Sequence, residues 1–160
     1  MDKKIEPDIT SLEPIPPGLL RLLASLIYDL FLIFAITMSY GGLIVLVKIV
    51  LLGNEPALQY QYNPLTKTIT LFGLYVSISS YFYLCWRKQG QTLGMKTWQI
   101  KLQGLNGKLP SSKQCILRIL VGSIAFAFFG LGFFWRYITP QKASWQDIAS
   151  ETEIILFKRT

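Results

Sequence analysis

The sequence predicts an all-α membrane protein of about three transmembrane helices, with a small cytoplasmic β-hairpin between spans 2 and 3. Two observations carry this. Charge is nearly absent from three long runs: Leu22–Leu52 holds only Asp29 and Lys48, while Ile69–Trp86 and Ile119–Trp135 hold none. A bilayer core about 30 Å thick takes roughly 20 apolar residues to cross. Three runs of that size in 160 residues leave little chain for a soluble core. The second observation is a change of period: in "TWQIKLQ", Trp98, Ile100 and Leu102 alternate with polar neighbours, the pattern of a strand with one buried face.

The elements follow in order. Residues 1–18 carry Asp2, Glu6, Asp8 and Glu13 with four prolines, unlike the basic start of a cleaved leader, and read as a disordered cytoplasmic tail. A membrane domain then runs over 19–157, with spans at about 22–46, 69–86 and 116–138. The first apolar run is longer than a membrane is thick, so it must tilt, kink or protrude, with Gly41-Gly42 as the soft point and Lys48 able to snorkel. Residues 53–68 form a polar loop whose tyrosines suit the interface. In span 2, Gly73, Ser77 and Ser80 share a face, and small residues at that spacing let helices pack closely in lipid. Asn106-Gly107 after the alternating stretch signals a tight hairpin. The third segment contains Gly122, Gly130 and Gly132, so it is a candidate for a re-entrant or broken hairpin. It ends in "FFWRYI", an aromatic belt, and the chain closes in an apolar stub, "EIILFKR".

Charge sets the topology. The net charge is +7, and residues 87–115 hold six Lys/Arg and no acid. Basic residues collect in cytoplasmic loops, so the N-terminus and this loop face the cytoplasm. The loop is an ordinary positive-inside segment or an anionic-lipid contact. Nucleic acid is not implied. Three full spans would put the C-terminus outside, against Arg136, Lys142, Lys158 and Arg159; a third segment that turns back would keep it inside. A bacterial inner membrane is the compatible location.

The chemistry is restricted. There is no histidine, the commonest general base and metal ligand. Two cysteines, Cys85 and Cys115, read as free thiols rather than a disulfide framework. With no nucleophile–base pair, metal spacing or phosphate loop visible, the chain reads as no enzyme and implies no cofactor or metal.

One residue stands out. Asp29 lies inside an apolar run, where a charged aspartate costs about 2.5–3.5 kcal/mol at the helix centre. Arg21 is eight residues earlier, some 80° around the helix and about 12 Å along it, so the two are no ideal pair. Asp29 therefore needs Arg118, Lys48 or a backbone group of a neighbouring helix. Ser144-x-x-Asp147 has the spacing of a capping box, which gives Asp147 a structural role. Arg21 has one too, as an anchor at the headgroups, and Asp29 a third, as an interhelical hydrogen-bond group.

These residues resemble the RDD family of small membrane proteins, named for one arginine and two aspartates. Arg21 resembles its arginine at the start of span 1, Asp29 the aspartate within it, and Asp147 in "KASWQDIASETEII" the terminal aspartate. "GQTLGMKTWQIKL" resembles its Gly-x-Thr-x-Gly-Lys stretch, and "GLGFFWRYI" the segment before the final motif, so the likeness spans roughly 18–157. The chain departs from the pattern: Gln146 stands where histidine is common, Ser150 where glycine is common, and Met95 separates Gly94 from Lys96.

The resemblance implies an integral membrane protein, with transport, including sodium–proton exchange, as its suggested activity. In that reading Arg21, Asp29 and Asp147 form a ligand or ion site with Asp29 as the intramembrane carboxylate, and three spans demand a homo-oligomer or a larger complex. The alternative is a non-enzymatic scaffold or accessory subunit whose polar residues lock helices or dock a partner. A third reading, a lipid-acting enzyme, needs Asp29 and Asp147 to meet within the membrane.

Overall fold

The computed structural model describes residues 15–53, 63–128, 132, 135 and 143–156. The expected tail over 1–14, the tyrosines of the 53–68 loop, most of the third segment past Phe128 and the basic end of the chain lie outside the described residues.

Helix α1 spans Leu19–Leu52, 34 residues, and stays helical through Gly41-Gly42. At 1.5 Å per residue it is about 51 Å long, so it must tilt or protrude from a core about 30 Å thick. Pro17 and Gly18 precede it and Gly53, at φ +81°, ends it. Helix α2 spans Pro64–Gln89; Asn63 caps it by accepting from the Leu65 N–H, and left-handed Gly90 stops it. Its last turn carries Arg87 and Lys88, where the helix dipole favours cations. Among the described residues these two helices are long and apolar enough to cross a membrane. Large side chains on them stay uncovered, Phe31 at 73% and Phe72 at 67% exposure. Lipid is the solvent in which such surfaces are stable, and the chain is a membrane protein.

A cap of short elements follows: α3 (Leu93–Thr97), β1 (Ile100–Gly104), α5 (Trp145–Ser150) and β2 (Thr152–Leu156), with the longer α4 (Ser112–Ala127) running beside α2. Helices α4 and α5 each start with a capping box, Ser111 with Gln114 and Ser144 with Asp147. The alternating stretch does form a strand, with Ile100, Leu102 and Gly104 buried. Its partner corrects the expected local hairpin: β1 pairs antiparallel with β2, from Ile100 opposite Leu156 to Gly104 opposite Thr152. Asn106-Gly107 does turn the chain, the Gly107 N–H reaching the Gly104 carbonyl at 2.9 Å. No returning strand follows, because Pro110 lacks an N–H and Ser111 at once caps α4. Thr152 begins the last strand, which takes in the start of the apolar stub.

Met95, Ile100 and Leu102 form the buried core, flanked by Leu22, Trp86, Ile154 and Leu156. This small core ties the start of α1, the end of α2 and both strands together. The Leu156 N–H also donates to the Ile15 carbonyl at 2.9 Å, although residues 15–18 read as tail from sequence. The chain entering α1 and the last strand therefore share one end of the helices. Gly132 packs against Ala125 and the Trp145 ring, and Trp135 lies 6.0 Å from Trp145.

Candidate functional site: two closed carboxylates

Asp29 is 4% exposed and is held from two sides. From the turn after α2, the Thr92 hydroxyl donates to Oδ2 at 2.5 Å and the Gly94 N–H donates to Oδ1 at 3.0 Å. From α2, the Tyr81 hydroxyl donates to Oδ1 at 3.3 Å. Thr92 has two tasks, since its Oγ1 also caps α3 by accepting from the Met95 N–H at 3.2 Å. Gly94 is needed for closeness: a Cβ there would land on the Ser25 carbonyl oxygen and 2.9 Å from the Asp29 Cγ. The carboxylate thus pins α1 to α3 through neutral donors, and it has no cationic partner among the described residues. A backbone group of a neighbouring helix was one expected partner; Arg118 and Lys48 are not used.

Arg118 serves the other aspartate. Its Nη1 lies 2.7 Å from Asp147 Oδ1, with side chains 3% and 5% exposed, and donates to Thr152 Oγ1 at 2.7 Å. Its guanidinium sits 5.5 Å from the Trp86 ring centroid, a cation–π distance. The second carboxylate oxygen, Oδ2, accepts from the Ser144 N–H at 2.8 Å and the Ser144 hydroxyl at 2.6 Å. Asp147 is therefore both helix cap and ion-pair partner, one oxygen for each. Burial pushes its carboxyl up, but the Arg118 charge and the Ser144 hydrogen bonds outweigh this and hold it below the usual carboxylate value.

The order of these parts along the chain is that of one family: an arginine and aspartate opening the first helix, Gly-x-Thr-x-Gly at the second helix's exit, and an aspartate before the last strand. The model of the RDD family matches residues 16–151. The chain belongs to the RDD family. No curated protein and no solved structure matches it.

In this RDD protein the arginine and two aspartates do not form one cluster. Arg21 is exposed on the first turn of α1 and makes no hydrogen bond or ion pair among the described residues. Asp29 and Asp147 are bonded to separate partner sets. The rings of Tyr81, Phe82 and Trp86 run between those sets, with centroids 5.2 and 5.3 Å apart. Gly73 packs against the Tyr40 hydroxyl of α1, and Ser77 bonds its own helix at the Gly73 carbonyl. Ser80 instead faces a groove beside α4. The three small residues thus serve more than one neighbour.

The departures from the family pattern also find places. Gln146 is buried, its Oε1 3.1 Å from where a Gly122 Cβ would lie. Ser150 donates to the Gln146 carbonyl at 2.5 Å. The left-handed residue at this turn is Glu151, at φ +50°, so the strained position is one past Ser150. Met95 belongs to the core. Sequence reasoning missed Thr92, Gly94 and Tyr81 as partners of Asp29, and Arg118 as partner of Asp147. The signal for Thr92 and Gly94 was the Gly90-x-Thr92-x-Gly94 spacing itself; for Arg118 it was a lone charge at the edge of an apolar run; Tyr81 had none.

Proposed function

We propose that this RDD protein is a non-enzymatic membrane scaffold or accessory subunit. One observation carries the reading: both buried aspartates are closed by the protein's own donors, Asp29 by three and Asp147 by Arg118 and Ser144. A carboxylate bonded in this way holds helices together, because leaving either partner unpaired in a buried site is costly. In this reading Arg21 anchors the mouth of α1 at the headgroups, and the uncovered apolar surface of α1 meets lipid or a partner in a larger membrane complex. The six basic residues between 87 and 115 favour a cytoplasmic cap and N-terminus, as in a bacterial inner membrane.

Transport of Na⁺ or H⁺ is the second reading, and a specific observation favours it. The donors around Asp29 are neutral, and the hydroxyls of Thr92 and Tyr81 lie within 3.3 Å of it. A carboxylate among hydroxyl oxygens with no counter-ion is a site that a proton or a hard cation can occupy. One experiment separates the readings: Na⁺ and proton flux in proteoliposomes with wild type and Asp29→Asn, beside their unfolding in detergent with and without Na⁺. The scaffold reading expects no flux, no Na⁺-dependent stability and a less stable variant. Flux lost in a stably folded variant refutes it in favour of transport.

A further inference from the structure

A groove of about 360 Å³ runs between α2 and α4, lined by Val76, Ser79, Ser80, Ile116, Ile119 and Leu120. That volume falls in the range of small-ligand sites, about 300–1,000 Å³. Both ends are tied across. The Tyr75 hydroxyl meets Ser123 Oγ at 3.1 Å at one end, and the Tyr83 hydroxyl donates to Ser112 Oγ at 3.1 Å at the other. Eight residues of α2 separate the two tyrosines, so the ties stand about 12 Å apart along the helix.

The end at Ser112 is cationic. Arg87 donates from Nε to the same Ser112 oxygen at 3.3 Å, and its terminal nitrogens have no carboxylate partner among the described residues. Lys88 and Lys113 flank it, both exposed, and no acid occurs between residues 87 and 115. Arginine is the side chain whose fork matches a phosphate. An apolar groove beside a candidate membrane span, with an uncompensated arginine and two lysines at one mouth, has the two halves of one amphiphile's chemistry.

We propose that the α2–α4 groove binds one acyl chain of an anionic phospholipid, whose phosphate is held by Arg87 and Lys113. Each lysine or arginine near an anionic lipid strengthens binding about fivefold. The inference is independent of whether the protein transports ions.

Native mass spectrometry of the full chain in detergent, with dioleoyl phosphatidylglycerol and dioleoyl phosphatidylcholine added at equal concentration, tests it. Wild type should retain the glycerol lipid over the choline lipid. Arg87→Gln with Lys113→Gln should lower glycerol-lipid retention roughly 25-fold, two fivefold steps, and lower choline-lipid retention much less, since the choline cation already offsets its phosphate. Ser80→Leu, which fills the groove, should lower retention of both lipids with the basic residues intact. Equal retention of the two lipids by wild type overturns the proposal. So does unchanged retention in either variant, or a protein dimer in place of the lipid adduct. If Ser80→Leu fails to fold by circular dichroism, the charge variant decides alone, since both its side chains are exposed.

Discussion

Gly94→Ala is the sharpest test of how α1 is fastened. The new Cβ would land on the Ser25 carbonyl oxygen and stand 2.9 and 3.0 Å from the Asp29 Cγ and Oδ2. Neither neighbour can swing aside, because Ser25 contributes backbone in mid-helix and Asp29 is buried. Helix α3 must retreat, and retreat stretches the Gly94 N–H and Thr92 hydroxyl bonds to Asp29 together. A hydrogen bond to a charged group contributes about 1.5–3 kcal/mol, and overpacking adds about 1–3 kcal/mol. Alanine returns at most about 1 kcal/mol of helix propensity. The expected net loss is at least about 2 kcal/mol. Unfolding in mixed micelles with rising dodecyl sulfate, followed by tryptophan fluorescence, measures it. Gly41→Ala is the control, since nothing lies within 4 Å of its Cβ position; it should be neutral or up to about 1 kcal/mol stabilising. If the two variants unfold at the same dodecyl sulfate fraction, the clasp around Asp29 is not closed as described.

Further expectations concern the Arg118–Asp147 pair and its surroundings. Arg118→Met or Asp147→Leu alone should cost about 3–5 kcal/mol, and the double variant less than the sum, because each single change strands a buried charge; the same unfolding titration reads this. Asp147 is held below its unfolded value of 3.8, so the pair's contribution is full above that value and fades as pH falls through it toward the lower folded value. Melting temperatures from pH 7 to 3 should thus show Asp147→Asn far below wild type at neutral pH and converging on it under acid. Glu151→Gly should raise stability by about 1 kcal/mol, since φ +50° strains any side chain there. Its carbonyl would still accept from the Leu105 N–H and the Gln114 side chain.

The membrane helices were legible in the sequence because lipid imposes a one-dimensional rule: a long run without charge. The strand at Ile100–Gly104 was legible for a similar reason, since its period of two is local. Its partner was not. Asn106-Gly107 is a real turn, but pairing β1 with residues 152–156 is a contact across about 50 positions that no local pattern encodes. Asp29 was recognised as costly, yet its partners were sought among cations. Neutral donors suffice here because an N–H and two hydroxyls converge on one carboxylate. The capping box at Ser144 was plain from spacing, whereas the same aspartate's ion pair with Arg118 depended on α5 packing against α4, a contact no local pattern encodes.

The pairing of β1 with β2 also sets an order of assembly. The strand that completes the cap, Thr152–Leu156, leaves the ribosome after both long helices and α4. Until it arrives, Ile100 and Leu102 lack half of their cover, and Arg118 lacks Thr152. The helices are therefore threaded into the membrane before the latch that fixes them exists. Without residues 144–156, Arg118 would have neither Asp147 nor Thr152, and β1 would present an open strand edge. The contacts that close the cap thus come from residues far in sequence from the helices it secures.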